Sequence, residues 1–128
     1  HGRYQLTGKD VLSSRKFDDG IALCSWPMEE HGRGRATRWI WLEEGKHFEI
    51  PFGCLLPQAL SNVLVAGRCI SSTHEAQASI RVTAQCFATG EAAGTAAALC
   101  LQDGVACADV PIQSLRAALR QSGSLPNP

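Results

Sequence analysis

Residues 62–103 read NVLVAGRCISSTHEAQASIRVTAQCFATGEAAGTAAALCLQD, and the rest of the chain is organised around them. The stretch opens with Val63, Leu64, Val65 and Ala66 and breaks at Gly67. A short apolar run that ends at a glycine predicts a strand. Residues 68–81 are polar and charged and predict a loop. From Ile80 or Val82 to Gln102 the residues favour one helix, roughly 30 Å long at about 1.5 Å per residue. Strand, charged loop and small-residue helix, in that order, present backbone amides to a bound cofactor.

The predicted helix has an unusual face. Gly90, Gly94 and Ala98 recur every four residues, with Ala93 and Ala97 beside them. Each glycine inside a helix costs about 1 kcal/mol relative to alanine. A sequence that carries two of them implies close approach of another backbone or a flat ligand; tight packing on a sheet is the plain structural alternative. The start of the helix is the more telling end. Its free N–H groups and positive dipole favour an anion by about 0.3–1 kcal/mol. Gly67 stands where backbone can touch a ligand, and Arg68 where a guanidinium can meet a phosphate or sugar oxygen. Arg81 at a helix start opposes the dipole, which argues that it is there for a ligand.

The chain has 128 residues, enough for one domain with a real core. Twelve basic residues balance twelve acidic ones, so no net field draws the protein to nucleic acid or to an anionic membrane. Arg33, Arg35 and Arg38 cluster, but Glu29, Glu30, Glu43 and Glu44 flank them, the composition of a solvated surface loop. The six cysteines include no CxxC pair and no Cys/His zinc spacing, so no metal site is expected. Lying in apolar runs or beside small residues, they read as reduced and buried, which suggests a cytoplasmic location. The most apolar window, residues 92–101, is about half the length of a membrane span.

Around the central stretch the signals are local. Tyr4, Gln5 and Leu6 alternate as a short strand, and Asp10 is placed to cap a brief helix over residues 11–14. Residues 17–20, FDDG, form a turn before an apolar strand over residues 21–26, which Pro27 ends. Trp39 to Leu42 reads as an edge strand, residues 43–46 as a hairpin connection, and Phe48 and Ile50 as one face of the next strand. Pro51 and Pro57 bracket a stiff extended segment. Gly104 closes the long helix, Pro111 opens a second amphipathic one to Gln121 with Ile112, Leu115, Ala118 and Leu119 as its stripe, and residues 122–128 are expected to be disordered. The fold class is therefore α/β, with short strands and a long Gly/Ala-rich helix. Three segments follow: a β-rich, substrate-side part (1–58), the strand–loop–helix unit (59–105), and a C-terminal helix with its tail (106–128).

NVLVAGRCISSTHEAQASIRV followed by ATGEAAGTAAAL resembles the C-terminal cofactor segment of a bacterial family of FAD-dependent oxidoreductases, within the glutathione-reductase-like flavoproteins. YQLTGKDVL, FDDGIALCSWPMEEH and FEIPFGCLLP resemble the run that leads to that segment, so the likeness covers about residues 1–103. It implies the C-terminal part of a two-part, FAD-binding Rossmann-like fold. The family's GxGxxG fingerprint for the ADP half of FAD has no counterpart here, which implies a missing N-terminal FAD-binding half. Carried over by position, Gly67 and Arg68 line the ribityl and pyrophosphate region, and Ser71 approaches flavin or substrate. Val82 and Thr83 set the helix N-terminus against the flavin pyrimidine edge, which gains negative charge on reduction. His74 and Arg81 become candidates for orienting an anionic or hydroxylated small-molecule substrate, with His31 behind them.

Two other readings compete with a hydride-transferring oxidoreductase. One is a non-catalytic interaction module whose Gly/Ala helix only packs. The other is a hydrolase built on His74, Glu75 and Ser71 or Ser72, disfavoured because no G-x-S-x-G elbow is present. The opening HGRYQLTGKD, with no cap, reads as the middle of a domain, and an exposed flavin-facing surface would suit a homo-oligomer.

Overall fold

Thr7 begins the first element. Its hydroxyl accepts from the Asp10 N–H while the Asp10 carboxylate accepts from the Thr7 N–H, a reciprocal capping box over helix α1, Gly8–Leu12. Asp10 is thus the third residue of that helix and not its cap. The computed structural model describes residues 1–31, 34 and 36–126.

Four strands follow: β1 (Gly20–Cys24), β2 (Met28–Glu30), β3 (Arg38–Ile40) and β4 (Phe48–Pro51). They make two antiparallel pairs, β1 with β4 and β2 with β3. Residues 43–46 turn as expected, with the Lys46 N–H donating to the Glu43 carbonyl at 3.0 Å, but they do not join a hairpin, since β3 and β4 pair with different partners. Phe48 and Ile50 are both fully buried on one face of β4, as the alternation requires. The predicted loop after Pro27 contributes β2 at its start; Arg33 and Arg35 lie outside the described residues. The three tryptophans gather on this second ladder, Trp39 stacked on Trp41 at 6.0 Å and edge-on to Trp26 at 6.3 Å.

The apolar run at residues 63–66 is not a strand. It is extended, but its only ladder-like bond is Val65 N–H to the Leu55 carbonyl at 2.9 Å. A strand requires a ladder of paired backbone bonds, and among the described residues this single bond is all that residues 63–66 make with another extended segment. Gly67 does break the run: it has φ +66 and begins a 3-10 turn, Gly67–Cys69. The segment read as a loop contains α2, His74–Ile80, capped by the Thr73 hydroxyl. Arg81 ends α2 and Val82 caps α3, Thr83–Asp103. Arg81 therefore sits at the C-terminal end of a helix, where a cation is favoured, rather than only at the start of the next.

Gly104, at φ +66, ends α3 in the left-handed cap that the sequence implies. After it comes α4, Ile112–Gln121, with Leu115 and Leu119 fully buried. Each such side chain is worth about 1.5–3 kcal/mol in transfer from water. The tail is ordered through residue 126, against expectation. Leu125 is 5% exposed, and Ser122 and Ser124 both donate to the Glu91 carboxylate. A buried leucine and two charge-assisted bonds offset the entropy that argued for disorder.

All six cysteines are unpaired, and Cys24, Cys54, Cys100 and Cys107 are buried. Gly90 and Gly94 face open space, so none of the described residues makes the close approach that their presence suggested. Phe87 and Leu101, on the same side of α3, are 74% and 86% exposed. No helix among the described residues is long and apolar enough to cross a membrane.

Candidate functional site

The junction between α2 and α3 holds most of the residues singled out by sequence. The Arg81 guanidinium turns back across β2: its Nη2 donates to the Glu29 carbonyl at 3.2 Å and lies 3.6 Å from Glu29 Oε2. His31 reaches the other oxygen of the same carboxylate, Nε2 to Oε1 at 3.4 Å, while its Nδ1 meets Thr37 Oγ1 at 3.1 Å. Glu29 thus bridges a guanidinium and an imidazole. A small pocket of about 110 Å³ lies over this bridge, and His74, Gln77, Ala78 and Glu30 complete its wall. The His74 side chain makes no hydrogen bond among the described residues and stays exposed. A guanidinium and two imidazole rings face one space beside the carboxylates of Glu29 and Glu30, groups that can hydrogen-bond a small polar molecule.

Glu29 was not among the candidates read from sequence, because it stands in a charge run that looks like a solvated loop. The signal was present: Glu29 and His31 are two residues apart, and strand periodicity puts them on one face. Only the packing of α2 on β2 brings Arg81 to them. The supposed His74–Glu75 centre gains no nucleophile, since Ser72 Oγ donates instead to Gln77 Oε1 at 2.8 Å. Glu75 serves its own helix: hydrogen bonds from its own N–H and from Thr73 hold its carboxyl below the usual range.

The residues assigned to the cofactor sit on the other side of the junction. The Gly67 N–H donates to Thr89 Oγ1 at 3.0 Å, which ties the 3-10 turn to the second turn of α3. Arg68 Nε donates to the Arg81 carbonyl at 3.0 Å, and its own carbonyl accepts from Gln77 Nε2 at 3.1 Å. Arg68 therefore braces the α2–α3 junction. Val82 gives α3 no side-chain cap, and no acidic residue lies in the first turn, so the opening amides of a 21-residue helix are unneutralised. Thr83 is exposed at that end. Below it, Gln85 donates to Cys24 Sγ at 3.1 Å, and burial pushes the Cys24 thiol up.

Ser71 is separated from His74 and Arg81. It lines a cavity of about 210 Å³ with Gly2, Cys54, Pro57, Val65 and Cys69. Its hydroxyl oxygen is buried without a partner. Burial also carries the Cys54 thiol up to about 12, so Cys54 itself stays a thiol at neutral pH. Among the described residues no group of three or more His, Cys, Asp or Glu is placed to hold a metal ion.

The model of the FAD dependent oxidoreductase family matches residues 1–119. The chain belongs to the FAD dependent oxidoreductase family. Full-length members bind FAD and carry out flavin-dependent redox chemistry, and the chain's mixed α/β architecture of four helices and small antiparallel sheets is compatible with part of an FAD-binding domain. No curated protein and no solved structure matches it.

Proposed function

We propose that this chain is the C-terminal, flavin-contacting part of a bacterial, cytoplasmic FAD-dependent oxidoreductase of the glutathione-reductase-like group, with a Rossmann-like domain completed by an N-terminal FAD-binding half. The reaction is hydride transfer between a carbon of a small-molecule substrate and the flavin. The observation that carries this reading is the position of Arg81. Its side chain enters the Glu29–His31–His74 pocket while the next two residues, Val82 and Thr83, open an uncapped helix.

The residues fit the cofactor. The flavin supplies the redox chemistry when bound. Backbone N–H groups of Val82 and Thr83 offer fixed positive potential to its anionic edge. Gly67 and Arg68 would hold its ribityl and pyrophosphate region, and Ser71 would line the neighbouring cavity. On the substrate side, Arg81 holds an anionic or hydroxylated group, and His74 orients it. Glu29 keeps Arg81 and His31 in register. The partners are this substrate and the N-terminal half, with homo-oligomerisation covering apolar surface; the balanced charge supports neither nucleic acid nor membrane.

The test uses the full-length, FAD-loaded protein. Arg81→Ala and His74→Gln should slow anaerobic bleaching of the flavin band by substrate at least tenfold while FAD retention is kept. Arg68→Ala should instead weaken retention. Unchanged bleaching in both pocket variants would remove the pocket from the active site.

A further inference from the structure

The cleft between the last turns of α4 and the β1–β4 ladder shares no residue with the pocket at Arg81. It has a volume of about 180 Å³. Its polar wall is Arg116, Arg120, His47 and Glu49. The two arginines are one helical turn apart on α4 and so present their side chains on one face. Arg116 is held in place: its Nη1 donates to the carbonyls of Phe17 (3.2 Å), Asp18 (3.3 Å) and Gly20 (2.9 Å). Arg120 is not. Its Nε is buried and donates to nothing, and among the described residues neither arginine makes an ion pair. Glu49, the one carboxylate in the cleft, accepts from the Phe17 N–H at 2.9 Å and makes no ion pair with either arginine among the described residues.

Because that Nε is closed off from solvent, a guest in the cleft meets the outer Nη1–Nη2 edge of Arg120, which has no hydrogen-bond or ion-pair partner among the described residues. We propose that this cleft is a binding site for a small monocarboxylate, with Arg120 as its principal cation. Three features select that class. Two guanidinium groups against one carboxylate leave one positive charge uncompensated, so a monoanion balances the site and a dianion does not. The planar fork of Arg120 matches the two oxygens of a carboxylate. The remaining wall, Leu23, Leu125 and Pro126, is apolar and accepts a hydrocarbon body. The volume falls below the roughly 300–1,000 Å³ that drug-sized ligands fill, which limits the guest to a few carbons or a single ring. Leu125 belongs to the tail that Ser122 and Ser124 pin to Glu91, so the site exists only when the tail is docked.

Benzoate, titrated into the full-length protein at constant ionic strength, tests the assignment. It should raise Tm saturably and give a measurable heat of binding, whereas benzamide, inorganic phosphate and matched NaCl should not. Arg120→Met keeps the apolar stem but removes the fork; it should weaken benzoate at least tenfold while leaving the ligand-free Tm equal or higher, because an unsatisfied donor has gone. Arg120→Lys, which retains charge without the fork, should bind with intermediate affinity, and it serves if the methionine variant does not fold. Benzoate that stabilises no better than NaCl, phosphate that binds as well as benzoate, or a methionine variant that binds undiminished would each overturn the proposal. A methionine variant that folds but with a lowered ligand-free Tm would do so too, since it would make Arg120 a structural residue.

Discussion

Replacing Thr89 by valine should loosen the turn at Gly67 without changing the shape of the core. Thr89 is 1% exposed, and its hydroxyl oxygen accepts the Gly67 N–H at 3.0 Å. The hydroxyl spends its own proton on the carbonyl one turn back, Gln85 O at 2.8 Å, with Cys86 O at 3.2 Å as a second acceptor. Valine fills the same volume but accepts nothing, so the Gly67 N–H loses its partner. An unsatisfied buried donor costs about 1–3 kcal/mol. Gly67 is only partly buried, which places this case near about 1–2 kcal/mol, or a fall in Tm of about 4–10 °C for a chain of this size. Thermal unfolding followed by circular dichroism reads the global effect, and amide exchange at Gly67 reads the local one. The Gly67 amide should exchange faster in Thr89→Val and stay protected in Thr89→Ser, which keeps the acceptor. A Tm within 2 °C of the parent together with unchanged Gly67 protection would refute the idea that this bond anchors the turn.

Gly90→Ala and Gly94→Ala should each stabilise the chain by up to about 1 kcal/mol, because a Cβ there meets nothing and the helix gains propensity; a drop in Tm would mean that another part of this chain packs on that face. Native protein treated with a chromogenic disulfide reagent should show one fast thiol, the exposed Cys69, and then Cys86 more slowly, with Cys54 among those released only on unfolding, since burial carries its thiol up to about 12. Asp10→Asn should cost about 1–2 kcal/mol near neutral pH, because it removes the charge that Arg15 pairs with and turns one of the two acceptor oxygens that Thr7, Tyr4 and Arg15 use into a donor. Burial alone would raise the Asp10 pKa, but hydrogen bonds from Thr7, Arg15 and Tyr4 outweigh it and bring the group below its ordinary value. A depressed folded-state pKa contributes stability above the unfolded value, about 3.9, that is lost as pH falls through the folded one. The Tm gap between parent and Asp10→Asn should therefore close below about pH 4, and a gap that persists to pH 2 would contradict this.

Local chemistry was legible in the sequence wherever one residue type has one conformational use. Gly67 and Gly104 both adopt the positive φ that only glycine takes freely. Phe48 and Ile50 alternate onto one buried face. The helices at residues 83–103 and 112–121 follow from their propensity and stripe. The cofactor family, too, could be recognised from the central motif, which is long enough to be specific.

What needed the tertiary structure was every relation between distant segments. Residues 63–66 have the composition of a strand, but a strand requires a ladder of backbone bonds, and among the described residues only Val65 makes one, to Leu55. Glu29 looked like one charge among several until α2 packed on β2 and set it between Arg81 and His31, 52 residues away in one case. Ser71 was grouped with His74 because three positions separate them, yet α2 begins between the two and sends them to different cavities. Residues 122–126 carry no periodicity, so their order was invisible; it comes from Leu125 burying its side chain and two serines finding Glu91. Backbone preference is decided within a few residues and can be read along the chain, whereas charge pairing and burial depend on which surfaces meet.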